Sequence, residues 1–306
     1  MSAQAVIAET TSHAAPAPAG FTRTDLLLLG MVLVWGVNYI IIKAAMREIT
    51  PLAFNALRFG VAGPTLALLA WARKAPWPSR ADLVRFALLG LVGNWIYQLC
   101  FIEGVAHTRA GNAALILAAV PVQTAVLSHL RGHERLRARD ALGLLVSCAG
   151  IATIILGSGR DVSFGGTIRG DLLVFGSTVC WTAYIVLCKP ATDRYGALTV
   201  TAWTMGLGAI PIILTGVPEL TTLPWRAVSA GAFAGTAASA LGALVFAYVI
   251  WFRGVRRLGP ARTSFYSNFT PVVVMLTAWP LLGETPTAWQ VGGAAGIFAG
   301  LWLTRT

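Results

Sequence analysis

Apolar residues follow one another along this chain in blocks long enough to cross a membrane as helix, which takes about 20 residues for roughly 30 Å of hydrocarbon. Ten blocks can be read: 26–42, 51–72, 86–102, 110–130, 141–159, 172–188, 197–218, 227–252, 263–283 and 285–304. Only the second carries an acidic or basic residue, Arg58. No segment alternates apolar and polar residues at period 2, which excludes a transmembrane β-barrel. The expected fold is all-α and integral to the membrane, with ten transmembrane helices.

The blocks repeat. Displacing the sequence by 150 sets Gly104-Val105 on Gly254-Val255, Pro121-Val122 on Pro271-Val272, Glu134 on Glu284, Gly143 on Gly293 and Ala149-Gly150 on Ala299-Gly300. Upstream, a displacement of 146 sets Asp25-Leu26-Leu27 on Asp171-Leu172-Leu173, Trp35 on Trp181 and Lys43 on Lys189. A four-residue loop insertion reconciles the two. Residues 25–159 and 170–304 are therefore read as two five-helix repeats, preceded by a disordered tail, 1–24. Five is odd, so the second repeat starts on the opposite face of the membrane. The predicted architecture is a 5+5 inverted repeat, whose halves can exchange conformations and open the space between them to each side in turn.

Composition sharpens this picture. Hydrophobic residues make up 56% of the chain and charged residues 11%, against about 25% charged in soluble domains. The net charge of +11 suggests a nucleic-acid partner only until the basic residues are placed. Sixteen of the 23 fall on one side of the ten-helix arrangement, in loops such as 73–85, 131–139 and 253–262. By the positive-inside rule those loops and both termini are cytoplasmic, with 157–170 and 284–287 external. The basic loops are short and lack interleaved aromatics, so no nucleic acid is expected. The tail has no basic start of the signal-peptide kind. Cys100, Cys148, Cys180 and Cys188 lie inside blocks, without Cys-x-x-Cys spacing or a neighbouring His, and read as small apolar residues.

The sequence around Trp35-Gly36-x-Asn38, with Lys43 closing the first block, resembles the EamA-type transporters of the drug/metabolite transporter superfamily. So do Leu57-Arg58-Phe59, the mid-block Pro121 and the segment Gly132-His133-Glu134-Arg135-Leu136. The second half carries a looser version: Trp181-x-x-Tyr184 with Lys189, then Pro271 and Leu282-Gly283-Glu284. The resemblance spans 25–304. It implies a bacterial inner-membrane, multi-pass carrier of small metabolites, often amino acids and often outward, and is nearest to the subgroup that exports aromatic amino acids and some drugs. The chain departs from a strict repeat where Tyr184 stands in place of Asn38, and where the second half has no equivalent of Arg58.

Polar and aromatic residues in mid-block are costly in lipid and therefore informative. Trp35 and Asn38 share one helical face, with Tyr39 beside it, and Trp181 and Tyr184 repeat that face. Asn94, Tyr97, Gln98 and Phe101 form the densest stripe, at i, i+3, i+4 and i+7. Tyr248, Trp251, Tyr266 and Asn268 complete the candidates. One reading has them line a central cavity, rings holding an apolar or cationic group and amides holding amino and carboxylate groups. The other has the amides tie helices together and the aromatics sit at the membrane interface. Arg58 either bonds a neighbouring helix or meets a substrate carboxylate. Pro121 and Pro271 are expected to kink their helices, as static bends or hinges.

The absences also count. No acidic residue sits in mid-block, so coupling to protons has no evident site. There is no Gly-x-x-x-x-Gly-Lys-Ser/Thr loop, so ATP is not a direct energy source. The four His are scattered, and no metal site, catalytic group or cofactor is expected. The expected partners are a small-molecule substrate and the lipid bilayer. The expected activity is secondary export of amino acids with aromatic or apolar side chains. A multidrug, nucleoside or sugar carrier is the alternative, and a channel or membrane enzyme a remoter one. Gly292, Gly296 and Gly300, and Gly231 and Gly235, step by four as close-packing faces, inside a monomer or between copies in a homodimer.

Overall fold

Among the described residues the apolar blocks lie largely in helix, because lipid offers no partner for a backbone N–H or C=O outside one. The computed structural model describes residues 22–132, 138–157, 167–283 and 285–305, and no strand occurs among them. The tail before residue 22, Glu134, Glu284 and the segments 133–137 and 158–166 lie outside the described residues. The helices are α1 (Arg23–Ala45), α2 (Pro51–Ala72), α3 (Arg80–His107), α4 (Ala110–Leu117), α5 (Val120–Leu130) and α6 (Ala138–Gly157). They continue as α7 (Thr167–Tyr195), α8 (Ala197–Thr222), α9 (Ala230–Leu258), α10 (Pro260–Ser267), α11 (Thr270–Leu282) and α12 (Ala288–Arg305). Seven stretches among the described residues are long and apolar enough to span a membrane, and Thr270–Leu282 is a shorter apolar helix.

Local chemistry sets the ends. Thr22 and Asp25 form a reciprocal capping box at the start of α1. Ser79 caps α3 and Ser229 caps α9, each through its hydroxyl. The first N–H groups of α2 are met from another helix: Glu219, near the end of α8, accepts from Leu52 and Ala53, both at 3.0 Å. Gly196 and Gly259, with φ of 85° and 87°, turn the chain between consecutive helices, where an L side chain would be strained.

Two features differ from straight helices. The expected kinks at Pro121 and Pro271 are breaks. Turns at Ala118-Ala119 and Asn268-Phe269 end one helix and start the next, and each proline becomes the second residue of the new helix. There its missing N–H is one the helix would leave unpaired anyway. Within α3 and α9, Leu91–Ile96 and Ser239–Phe246 widen into π-helix. The displacement of 150 sets the first of these inside the second.

Packing pairs the two halves of the chain reciprocally. The C-terminal part of α3 lies on α7, and α9 lies on α1; α4 and α5 touch α7, as α10 and α11 touch α1; α2 packs on α8 and α6 on α12. At the α6–α12 crossing, a Cβ at Gly150 would fall 2.6 Å from the Gly293 carbonyl oxygen, and one at Gly300 would fall 2.3 Å from that of Gly143. Gly292 and Gly231 do not share this role, since a Cβ at Gly292 would meet nothing and one at Gly231 only its own neighbour Ser229. Trp71, Trp77, Trp225, Trp289 and Trp302 are on the outer surface.

Candidate functional site

The inner faces of α1, α2, α3, α7 and α9 meet the two helix breaks around a cavity. Aromatic rings make one wall. Trp181 is at its centre, with ring centroids 5.1 Å from Tyr97, 5.1 Å from Tyr248 and 6.2 Å from Trp35. Phe101 stacks on Tyr97 at 5.7 Å and meets Tyr39 edge-on at 5.8 Å. These tilted and edge-to-face pairs hold one another rigid while leaving ring surface toward the void.

The π segments contribute directly. In the wider turn of α9 the Ala243 carbonyl points inward and accepts the Trp35 indole N–H at 3.1 Å. Ser239, where that segment begins, donates to Asn38 Oδ1 at 2.5 Å. Ala243 and Leu244 themselves line the cavity. Trp35 is thus fixed from behind by a backbone carbonyl and Asn38 by a serine hydroxyl.

The polar inventory of the wall is unbalanced. Arg58 is 1% exposed, and its Nε and Nη1 are buried without a hydrogen-bond partner. Its guanidinium lies 5.3 Å from the Phe54 ring centroid, a cation–π contact that offsets part of its desolvation. Two acceptors on the same wall are also unmet: Gln98 Oε1 and Thr270 Oγ1. Unpaired buried groups of this kind cost about 1–3 kcal/mol each, and more when charged. A wall holding both orphaned cationic donors and orphaned acceptors is matched to a molecule carrying an anionic group and a donor.

Of the sequence candidates, the cavity gathers Trp35, Asn38, Tyr39, Arg58, Tyr97, Gln98, Trp181 and Tyr248. Five lie elsewhere. Asn94 is fully buried and donates to the Thr204 carbonyl at 3.2 Å, tying α3 to α8. Tyr184, also fully buried, hydrogen-bonds Thr204 Oγ1 at 2.6 Å and fills the space over Gly93. Trp251 stands behind Trp35 and Trp181 at 5.2 and 5.7 Å. Tyr266 donates to Asp25 at the start of α1. Asn268 is buried at the α10–α11 break, and its neighbours Ser267 and Thr270 take the wall instead. Helical spacing placed Tyr184 on the face of Trp181, but a helix packed all round presents one flank to the void and the next to a neighbour. Leu117, Val120, Ala243 and Leu244 also line the cavity and carry no signal in the sequence, since nothing there separates them from lipid-facing residues of the same type.

The EamA-like transporter family model matches the chain twice, over residues 22–156 and 168–306. The chain is 26% identical to "Uncharacterized transporter YyaM" of Bacillus subtilis, over 90% of this chain and 91% of that protein. It is 28% identical to the "Probable terminal-alkyne amino-acid exporter" of Streptantibioticus cattleyicolor, over 90% and 91%. It is 26% identical to the "Probable amino-acid metabolite efflux pump" of Salmonella typhimurium, over 92% and 94%. A solved crystal structure shares the fold, with a TM-score of 0.70 and 19% identity, over 94% of this chain and 99% of that one.

Proposed function

The chain belongs to the EamA-like transporter family, and from that premise we propose that it exports amino acids with aromatic or apolar side chains by alternating access. The observation that carries the substrate class is Arg58, a buried guanidinium with unpaired donors on a cavity wall that also carries six aromatic rings. A zwitterion fits this inventory. Its carboxylate meets Arg58, its ammonium meets Gln98 Oε1 and Thr270 Oγ1, and its side chain lies among Trp35, Tyr97, Trp181 and Tyr248. A purely cationic drug would bring its charge toward the guanidinium with no carboxylate on the wall to offset it. Two similar proteins bear names that mention amino-acid export, which agrees with this reading.

The mechanism proposed is that of ten helices in a 5+5 inverted repeat, at 25–159 and 170–304, in the bacterial inner membrane. Three features support it: the reciprocal pairing of helices between halves, the reciprocal glycine contacts of α6 and α12, and the matched breaks in α4–α5 and α10–α11. Each break divides its span into two short rods that can tilt separately, which is what exchange between two packings requires. The asymmetry of basic residues assigns the end carrying Ser79, Gly196 and Gly259 to the cytoplasm. On a background without native cysteines, Thr285→Cys in intact cells should react with an impermeant maleimide and Ser79→Cys should not. The reverse result would invert the topology.

Purified protein in liposomes preloaded with labelled phenylalanine, leucine, glutamate or a nucleoside tests the substrate. Saturable exchange of phenylalanine and leucine is expected. Exchange of the nucleoside and of no amino acid would overturn the substrate class, and unsaturable flux would overturn the carrier mechanism.

A further inference from the structure

A second concavity lies on the outer flank, where the end of α2 meets the start of α8. Trp71, Trp77 and Trp203 wall it, and Lys74 stands among its lining residues. Trp77 meets Trp203 edge-on at 5.1 Å, while Trp71 and Trp77 are 77% and 79% exposed. The floor is kept low by small residues. A Cβ at Gly206 would meet nothing within 4 Å. The groove is therefore apolar, rimmed by indoles and set at a membrane–water boundary, the depth at which Trp is held in a bilayer.

The backbone at its mouth is unusual. α2 ends with the Ala75 N–H bonded to the Ala70 carbonyl at 2.9 Å and the Lys74 N–H bonded to the Trp71 carbonyl at 3.0 Å. This is the paired pattern that puts its central residue in the left-handed region, where glycine is the usual occupant. Here that residue is Lys74, with φ of 50°, the sole non-glycine residue with positive φ among those described. The turn at Gly283 and those at Gly132, Gly196 and Gly259 use glycine for positive φ. A lysine in a conformation that disfavours any Cβ is backbone strain retained at one place, and such strain marks a position held for its side chain. The ammonium is what glycine would lack. None of the three ion pairs among the described residues involves Lys74, and Arg73 beside it adds a second exposed positive charge.

We propose that this groove binds one anionic phospholipid, its phosphate on the Lys74 ammonium and an acyl chain between α2 and α8 against Trp203. Three independent features meet there: an apolar trough, an indole rim at headgroup depth, and a cation on a helix end whose left-handed turn disfavours any side chain. Headgroup charge is the selective element, since a zwitterionic lipid fills the trough equally well but brings a choline beside the ammonium. The occupant leaves the central cavity untouched, because no residue lines both spaces.

The test is thermal unfolding of the purified protein in detergent, titrated with phosphatidylglycerol or with phosphatidylcholine of the same chains. The native protein should gain a saturable rise in melting temperature with phosphatidylglycerol and little with phosphatidylcholine. Lys74→Gly should melt at or above the native temperature without lipid, since it relaxes the turn, yet need roughly fivefold more phosphatidylglycerol, the effect of about one basic side chain near an anionic lipid. Gly206→Leu keeps the charge and fills the trough, and should lose the response to phosphatidylglycerol. Equal responses to the two lipids in the native protein, or an unchanged response in both variants, would overturn the proposal. So would a melting temperature that rises with protein concentration instead of lipid, which would assign the groove to a second copy of the chain.

Discussion

Replacing Arg58 with methionine is expected to weaken the binding and transport of carboxylate-bearing substrates about a hundredfold and to leave the empty protein as stable as before, or more so. The two effects have opposite signs because one group serves two states. Without substrate, the guanidinium is buried with Nε and Nη1 unpaired, and its visible compensation is the Phe54 ring. Exchanging a buried ion pair for apolar side chains of similar volume is often neutral or stabilising by about 1–4 kcal/mol, and a buried charge with no ion partner has less attraction to lose. With substrate bound, two charge-assisted hydrogen bonds to a carboxylate are worth roughly 3 kcal/mol together, or about a hundredfold in affinity. Arg58→Lys keeps the charge but loses the planar fork, and should fall between. Phenylalanine and phenethylamine, compared in the same exchange assay, separate a lost carboxylate contact from general damage. The variant should lose phenylalanine selectively. Wild-type phenylalanine exchange by Arg58→Met would remove the basis of the substrate assignment.

The second large effect is expected far from the cavity. In Gly300→Ala the new methyl would lie 2.3 Å from the Gly143 carbonyl oxygen, 2.3 Å from Ser147 Oγ and 2.7 Å from Ser147 N. The hydroxyl can rotate away, but the backbone atoms cannot without moving α6 off α12. Overpacking against backbone costs about 1–3 kcal/mol, and the Ser147 hydrogen bond to the Ile297 carbonyl is lost with it. Gly292→Ala, on the same helix with nothing near the new methyl, should be neutral or stabilise by up to about 1 kcal/mol through helix propensity. Melting curves of the two variants in one detergent decide this. The surviving folded Gly300→Ala protein should still exchange substrate normally, because no residue of α6 or α12 lines the cavity. Equal melting temperatures for the two variants would mean that α6 and α12 do not cross at these glycines.

The partial legibility of the site has a physical cause. In water, a helix advertises its buried face because the other face must be polar. In a bilayer both faces are apolar, so periodicity reveals where polar groups share a flank and not what that flank meets. The stripe Asn94, Tyr97, Gln98, Phe101 shows the consequence. Tyr97, Gln98 and Phe101 reach the void, while Asn94, one turn earlier, bonds the α8 backbone. The Trp181–Tyr184 pair divides in the same way, Trp181 at the cavity and Tyr184 clamped to Thr204.

The chain by itself determined the helices, the resemblance between its halves and the residues worth watching, because those rest on local quantities: length of apolar run, matched spacing, and the cost of a polar group in lipid. Arg58 could be singled out in this way, as the charge inside a block. The tertiary structure decided the rest. It turned the two proline kinks into breaks, because the turns at Ala118-Ala119 and Asn268-Phe269 move each proline to a helix start, where its missing N–H is no loss. It widened α3 and α9 into π turns, freeing the Ala243 carbonyl for Trp35. It brought Glu219 of α8 to the open N–H groups of α2 across 167 residues of sequence. Each of these depends on which helix lies next to which, and that adjacency is absent from the spacing of residues along one helix.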